Sequence, residues 1–287
     1  ALPLTAFAKL NIFACEPEWA ALADVIGGDH VKSNSATNAL QDPHYIQARP
    51  SLISRVRKAD LVVCSGAGLE IGWLPMLLTK ANNPDVHPGT KGYLEASSLV
   101  KRLEVPSSVD RAQGDVHPAG NPHIQTNPHN ILLVADGLTA SMSQLDPDNA
   151  AQYQSALEEF RTKWTAAMAQ WKTKAEPLKG ENIITYHKSW AYLQDWLGLT
   201  EVATLERISG VPPTAGHLSS LVSEFSDGGA SMIIYAPYQS DKSPQWLSDK
   251  TGIPNVMIPL SVGGSDKAQD LYSLFDDIIE RLLSTQK

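Results

Sequence analysis

The sequence predicts an α/β protein of two lobes, each a small parallel sheet flanked by helices, joined by one long helix. Three observations carry this. From Lys9 onward, short apolar runs alternate with amphipathic stretches, and repeated βα units imply parallel sheets covered by helices. The rhythm breaks across 82–125. It restarts only after a helical pattern over 148–174 that would span roughly 40 Å, long enough to act as a spine. The division expected is an N-terminal α/β lobe over 9–145 with a flexible loop at 82–120, a connecting helix over 146–176, and a C-terminal α/β lobe over 177–287.

In the first lobe, strands are expected at 10–14, 31–35 and 61–64. Helices are expected at 17–26, where Trp19, Leu22, Ala23 and Ile26 share one face before Gly27-Gly28, at 51–58, and at 69–81 with an interruption at Pro75. Prolines and glycines from Pro84 to Pro122 break the next segment, and a structureless stretch of that length is usually functional or flexible. Asn127-Pro128 supplies an N-cap and a first-turn proline for a helix to about Met142. Beyond the spine, strands are expected at 183–186, 202–205, 232–235 and 256–260, and helices at 187–197, 214–225, 244–251 and 266–283.

Composition narrows the function. The net charge is −8, and no basic run of the kind that neutralises a phosphate backbone is present, so nucleic acid is not an expected partner. Hydrophobic residues at 43% with no apolar run near 18 residues exclude an integral helical membrane protein and a disordered chain. Cys15 and Cys64 end the first and third strands, which would place them at one sheet edge. A disulfide and two buried thiols both remain open there. The opening ALPLTAFA, with Ala6-Phe7-Ala8 in the form of a signal-peptidase site, reads as the remnant of an export signal at residues 1–8.

Ligands of open parallel sheets bind beyond the carboxyl ends of the strands, so polar residues just after strands carry most of the functional information. Three of the eight histidines are placed this way. His187 follows the strand IITY, His44 lies in QDPHYIQARPS, and His123 closes the broken segment in GNPHIQTNPHN. In Asp42-Pro43-His44 and Asn121-Pro122-His123, proline fixes the backbone before the imidazole and lowers the entropic cost of holding a ligand. Imidazole suits zinc, which takes four ligands in a tetrahedron.

QDPHYIQARPSLISRVRKADLVVCSGAGLE, GNPHIQTNP, TYHKSWAYL and GVPPTAGHLSSL, in that order and spacing, resemble the metal-binding solute-binding proteins of zinc/manganese-type ABC importers, with the likeness running from Lys9 to Leu283. That resemblance implies two lobes on a rigid helix, one divalent metal in the cleft between them, and delivery to a cognate permease in the inner membrane. The metal ligands it implies are His44, His123 and His187. Histidine at the third position implies a zinc-type member, with Zn2+ as the transported ligand and Mn2+ less favoured. The family's fourth ligand, an aspartate after the last strand, is missing, because that loop reads IPLSVGG over 258–264. Asp241, after the strand at 232–235, is the first candidate substitute, Glu206 the second, and water the remaining alternative. His117, six residues before His123, could approach the cleft and shuttle metal. His87, His129, His217 and His30 are read as structural or exposed.

The expectation is therefore a monomeric periplasmic zinc-binding protein, not an enzyme. A metallohydrolase using an open zinc position is the competing class, and the chain lacks the His-Glu-x-x-His helix that would supply a general base. A manganese, iron or chelate binder of the same fold would call for oxygen ligands or aromatic cleft residues in place of His187. A long connecting helix resists bending, so small lobe movements are expected on binding, with ordering of 82–120 as the main change.

Overall fold

In a computed structural model of the chain, residues 9–108 and 114–286 are described. The export-signal remnant read at residues 1–8 lies outside them. Two four-stranded parallel sheets are built with the same logic. The first is ordered β2-β1-β3-β4 and comprises β1 (Leu10–Ala14), β2 (Val31–Ser35), β3 (Leu61–Cys64) and β4 (Tyr93–Glu95). The second is ordered β6-β5-β7-β8 and comprises β5 (Asn182–Thr185), β6 (Thr200–Thr204), β7 (Met232–Tyr235) and β8 (Asn255–Met257). Every strand pair is parallel, so all carboxyl ends of a sheet open to one side. Central strands buried on both faces read as apolar runs, as LVVC does with all four residues buried.

Helices α1 (Pro17–Gly27), α2 (Pro50–Arg57), α3 (Leu74–Ala81) and α4 (Pro128–Leu145) surround the first sheet. Each begins with a proline in its first turn, where the missing N–H costs nothing. Pro75 is thus a helix start and not the interruption expected within 69–81. Helix α5 (Ala150–Lys174) is the predicted spine, and α6 (Ala191–Leu197), α7 (Ala215–Phe225), α8 (Lys242–Thr251) and α9 (Leu271–Leu283) complete the second half. Tyr153, Leu157, Phe160, Trp164, Met168 and Trp171 form the buried stripe of α5, spaced three or four apart. This stripe belongs to one apolar cluster that runs from Leu10 and Trp19 to Phe275 and Leu282, so the halves share a core across the spine.

Two expectations change. The segment 82–120 is not a flexible loop throughout: a 3-10 turn at Pro84–Val86, strand β4 and a second 3-10 turn at Ala96–Leu99 give its first half a place in the sheet. A three-residue edge strand is too short to show a periodicity, and only pairing with β3 defines it. The helices expected from 187 and 266 start later, at Ala191 and Leu271. Strand β5 is followed by an irregular turn that presents His187, and the Asp270–Ser273 capping box fixes the start of α9. Cys15 and Cys64 are joined as a disulfide, with Cα atoms 4.8 Å apart at the ends of the neighbouring strands β1 and β3, which resolves the alternative left open by the sequence.

Candidate metal centre

The site sits where connections from both sheets meet. His44 lies between β2 and α2, His123 before α4, and His187 just after β5. Their ligand-capable ring nitrogens lie within 4.8 Å of one another. Ring centroids are 5.5 Å apart for His44 and His123, 5.5 Å for His44 and His187, and 6.0 Å for His123 and His187. All three are nearly inaccessible, at 9%, 1% and 7% exposure.

Two of the three are held by carboxylates. His44 Nδ1 is 2.7 Å from Asp42 Oδ1, and His187 Nδ1 is 2.7 Å from Glu206 Oε2. A carboxylate on one ring nitrogen fixes the tautomer with its proton there and turns the Nε2 lone pair toward a metal. The third behaves differently: neither Nδ1 nor Nε2 of His123 has a protein hydrogen-bond partner, although the residue is buried. Burial, with the charges of His44, His187 and His117, pushes the His123 imidazole well below its ordinary value and keeps it neutral. Burial alone would raise the Asp42 carboxyl, but its hydrogen bonds to His44 and the charge of that ring hold it below the usual carboxylate range.

Local turns account for the placement. In Asp42-Pro43-His44 the Asp42 carboxylate also accepts the His44 backbone N–H at 3.0 Å, and Trp73 Nε1 donates to Pro43 O at 2.8 Å. In Asn121-Pro122-His123 the Asn121 side-chain Oδ1 accepts the His123 N–H at 3.0 Å, while its Nδ2 donates to Lys188 O at 2.7 Å. That second bond ties the His123 turn to the residue after His187, across the two halves. The Asp-Pro-His and Asn-Pro-His patterns contained this signal, since Asx side chains close such turns; its value for orienting the ring appears only with the ring in place.

Among the residues weighed for a fourth position, the outcome divides. Asp241 is exposed at the N-cap of α8 and stands outside the cluster. The chain turns after β7, with Gln239 Oε1 accepting the Ala236 N–H at 2.8 Å. Glu206 is present, as the partner of His187, and also accepts the Gly210 N–H at 2.8 Å. His117 arrives beside the cluster, its Nε2 3.3 Å from His44 Nε2, and burial pulls its imidazole down to about 4. His117 lines both a cavity of about 770 Å³ on the His44 side and one of about 470 Å³ on the His123 and His187 side.

Two glycines let the His117 segment dock. Gly114 pairs with Ser209, and a Cβ on Gly114 would lie 2.1 Å from Ser209 O, while one on Gly210 would lie 2.0 Å from Asp115 Oδ2. Asp115 N donates to Ser209 O at 2.9 Å, and Tyr45 Oη donates to Asp115 Oδ2 at 2.9 Å.

Two α/β sheets with a buried imidazole cluster between their connections define a class, the binding proteins that hold a small ligand between two lobes. The chain belongs to the ZnuA family, described as zinc-uptake complex component A, periplasmic, whose family model matches residues 12–284. It is a metal-binding substrate-binding protein of an ABC transporter and not an enzyme. It is 24% identical over 251 residues to the manganese ABC transporter substrate-binding lipoprotein scaA of Streptococcus gordonii, covering 86% of this chain and 78% of that protein. It is 23% identical over 251 residues to the manganese ABC transporter substrate-binding lipoprotein PsaA of Streptococcus pneumoniae, with the same coverage of 86% and 78%. In fold it is similar to a crystal structure of ZnuA, with a TM-score of 0.82, 21% identity and coverage of 98% of this chain and 100% of that one. A Cd-bound periplasmic metal binding protein from candidatus liberibacter asiaticus is similar with a TM-score of 0.77 and 18% identity, covering 97% and 99%. Among the described residues, no helix is long and apolar enough to cross a membrane.

Proposed function

We propose that the chain is a periplasmic zinc-binding protein that captures Zn2+ at His44, His123 and His187 and delivers it to an ABC permease in the inner membrane. The observation that carries this is His123, buried at 1% exposure with both ring nitrogens unpartnered between two carboxylate-held histidines. A buried polar ring without a partner is costly, and a metal ion supplies the missing interaction. Neutral imidazoles suit zinc better than manganese, which favours oxygen-rich sites. His117 is the fourth donor in this reading. Two nitrogens about 2.05 Å from zinc at the tetrahedral angle lie about 3.3 Å apart, and His44 Nε2 and His117 Nε2 are 3.3 Å apart. The lobes are 9–145 and 177–287 about the helix at 146–176, and the protein acts as a monomer exported by an N-terminal signal.

Relatives named for manganese give the second reading, Mn2+ as cargo. Competition titration against a chromophoric chelator at neutral pH separates the two. Zinc should bind at least ~100-fold tighter than manganese, following the stability order of divalent metals on nitrogen sites. Wild-type affinity for zinc in His123→Ala, or tighter binding of manganese than zinc, would overturn the proposal.

A further inference from the structure

A further small cavity of about 20 Å³, with no histidine in its lining, is lined by Glu16, Glu18, Gln125, Tyr238 and Ser261 among others. A volume of that size holds one water-sized occupant. Its walls come from both halves of the chain: Glu16 and Glu18 from the turn into α1, Gln125 from the segment before α4, Tyr238 and Ser261 from the connections after β7 and β8.

Four buried oxygens on the residues lining it have no protein hydrogen-bond partner: Glu16 Oε1, Glu18 Oε1, Gln125 Oε1 and Tyr238 Oη. Glu16, Glu18 and Gln125 are 3%, 1% and 4% exposed. The opposite side of each of these three groups is accounted for. Glu16 Oε2 accepts the Ser65 N–H at 3.2 Å and hydroxyl at 3.0 Å, Glu18 Oε2 accepts the Ser261 hydroxyl, and the Gln125 amide points to Leu260 O at 3.5 Å. As carboxylates, Glu16 and Glu18 offer only acceptors here, as does Gln125 Oε1, and the single Tyr238 hydroxyl can donate to no more than one of the three. Among the described residues, no Lys or Arg pairs with Glu16 or Glu18. A third buried carboxylate, Glu70, adds negative charge beside Glu16.

We propose that this cavity is a second cation site, in which Glu16, Glu18 and Gln125 hold one hard divalent ion of the Ca2+ or Mg2+ class and tie the two halves together. The donors are oxygen only, which selects hard ions and sets the site apart from the imidazole cluster. Burial without a cationic partner pushes Glu18 and Glu70 up to about 7, and Glu16 upward as well, so an entering ion competes with protons for these carboxyls.

The test uses the chelator-treated protein, melted near neutral pH with CaCl2 or MgCl2 against NaCl of equal ionic strength. Either divalent salt should raise Tm by several degrees. The rise should persist in His123→Ala and vanish in Glu18→Gln, whose amide oxygen can still accept from Ser261. No rise with either salt, or an equal rise in Glu18→Gln, overturns the proposal without touching the imidazole reading. Should the variant fail to fold, wild-type crystals grown in CaCl2 decide. A peak with oxygens at about 2.3–2.6 Å supports a bound ion, and a water at hydrogen-bond distance from the three oxygens overturns it.

Discussion

His44 and His187 owe their orientation to neighbouring carboxylates, and that makes Asp42 and Glu206 as informative as the proposed ligands themselves. Removing such a partner loosens the ring and its basicity, so Asp42→Asn and Glu206→Gln should each weaken zinc binding about 10- to 100-fold. Asp241→Ala should leave it unchanged, and titration of the three variants in parallel checks both statements. His117 makes a pH prediction. Burial, then the charges of His44 and His187, lowers it to about 4, whereas an unfolded chain titrates it near 6.5. The unfolded state then binds more protons, so the metal-depleted protein loses stability as pH falls from about 6.5 through about 4. In His117→Asn that acid limb should be shallower by on the order of 1–2 kcal/mol in thermal melts; an identical limb in both proteins would show that His117 is not held neutral.

Elements place these residues. The segment carrying His117 is seated by the Gly114 and Ser209 pairing, where a methyl group would strike a backbone carbonyl. Gly114→Ala should therefore weaken zinc binding about as much as His117→Ala while leaving Tm nearly unchanged. The spine depends on packing of another kind. Trp164 is fully buried, donates from Nε1 to Pro128 O at 2.8 Å, and meets Phe160, Trp171, Tyr272 and Phe275 at centroid distances of 4.9 to 5.5 Å. Trp164→Ala should cost about 3–5 kcal/mol in denaturant unfolding, the usual range for removing a buried aromatic. Reduction of Cys15–Cys64, which closes a span of 49 residues, should cost about 2–4 kcal/mol in the same assay.

At the scale of the molecule, α5 lies against α1, α4 and α9, and one apolar cluster crosses it. A hinge there would have to open that core, so lobe closure on metal binding should be small. Small-angle scattering should give the same radius of gyration with and without zinc. Any zinc-dependent change in proteolysis should fall between Val100 and Gly120, because Pro84 to Leu99 is anchored by β4 and its flanking 3-10 turns. A change of cleavage at Pro84–Val86 would contradict that division.

Much of this was legible in the chain because the signals were local. Apolar runs located β1, β3 and β7 to the residue, and the three-to-four spacing of large apolar side chains marked α5. X-Pro-His after a strand singled out His44 and His123, since turn chemistry is written in neighbouring residues. What stayed hidden was non-local. Strand β4 exists only through its pairing with β3, and Asp241 follows a strand as a ligand would yet is exposed at the N-cap of α8. The sequence by itself determined the βα rhythm and the spine, which rest on side-chain order within a few residues, and it singled out His44, His123 and His187 by their place after strands. Tertiary structure alone decided that His117 joins them and that Glu206 orients His187, because both contacts close loops between elements whose separation no local pattern records.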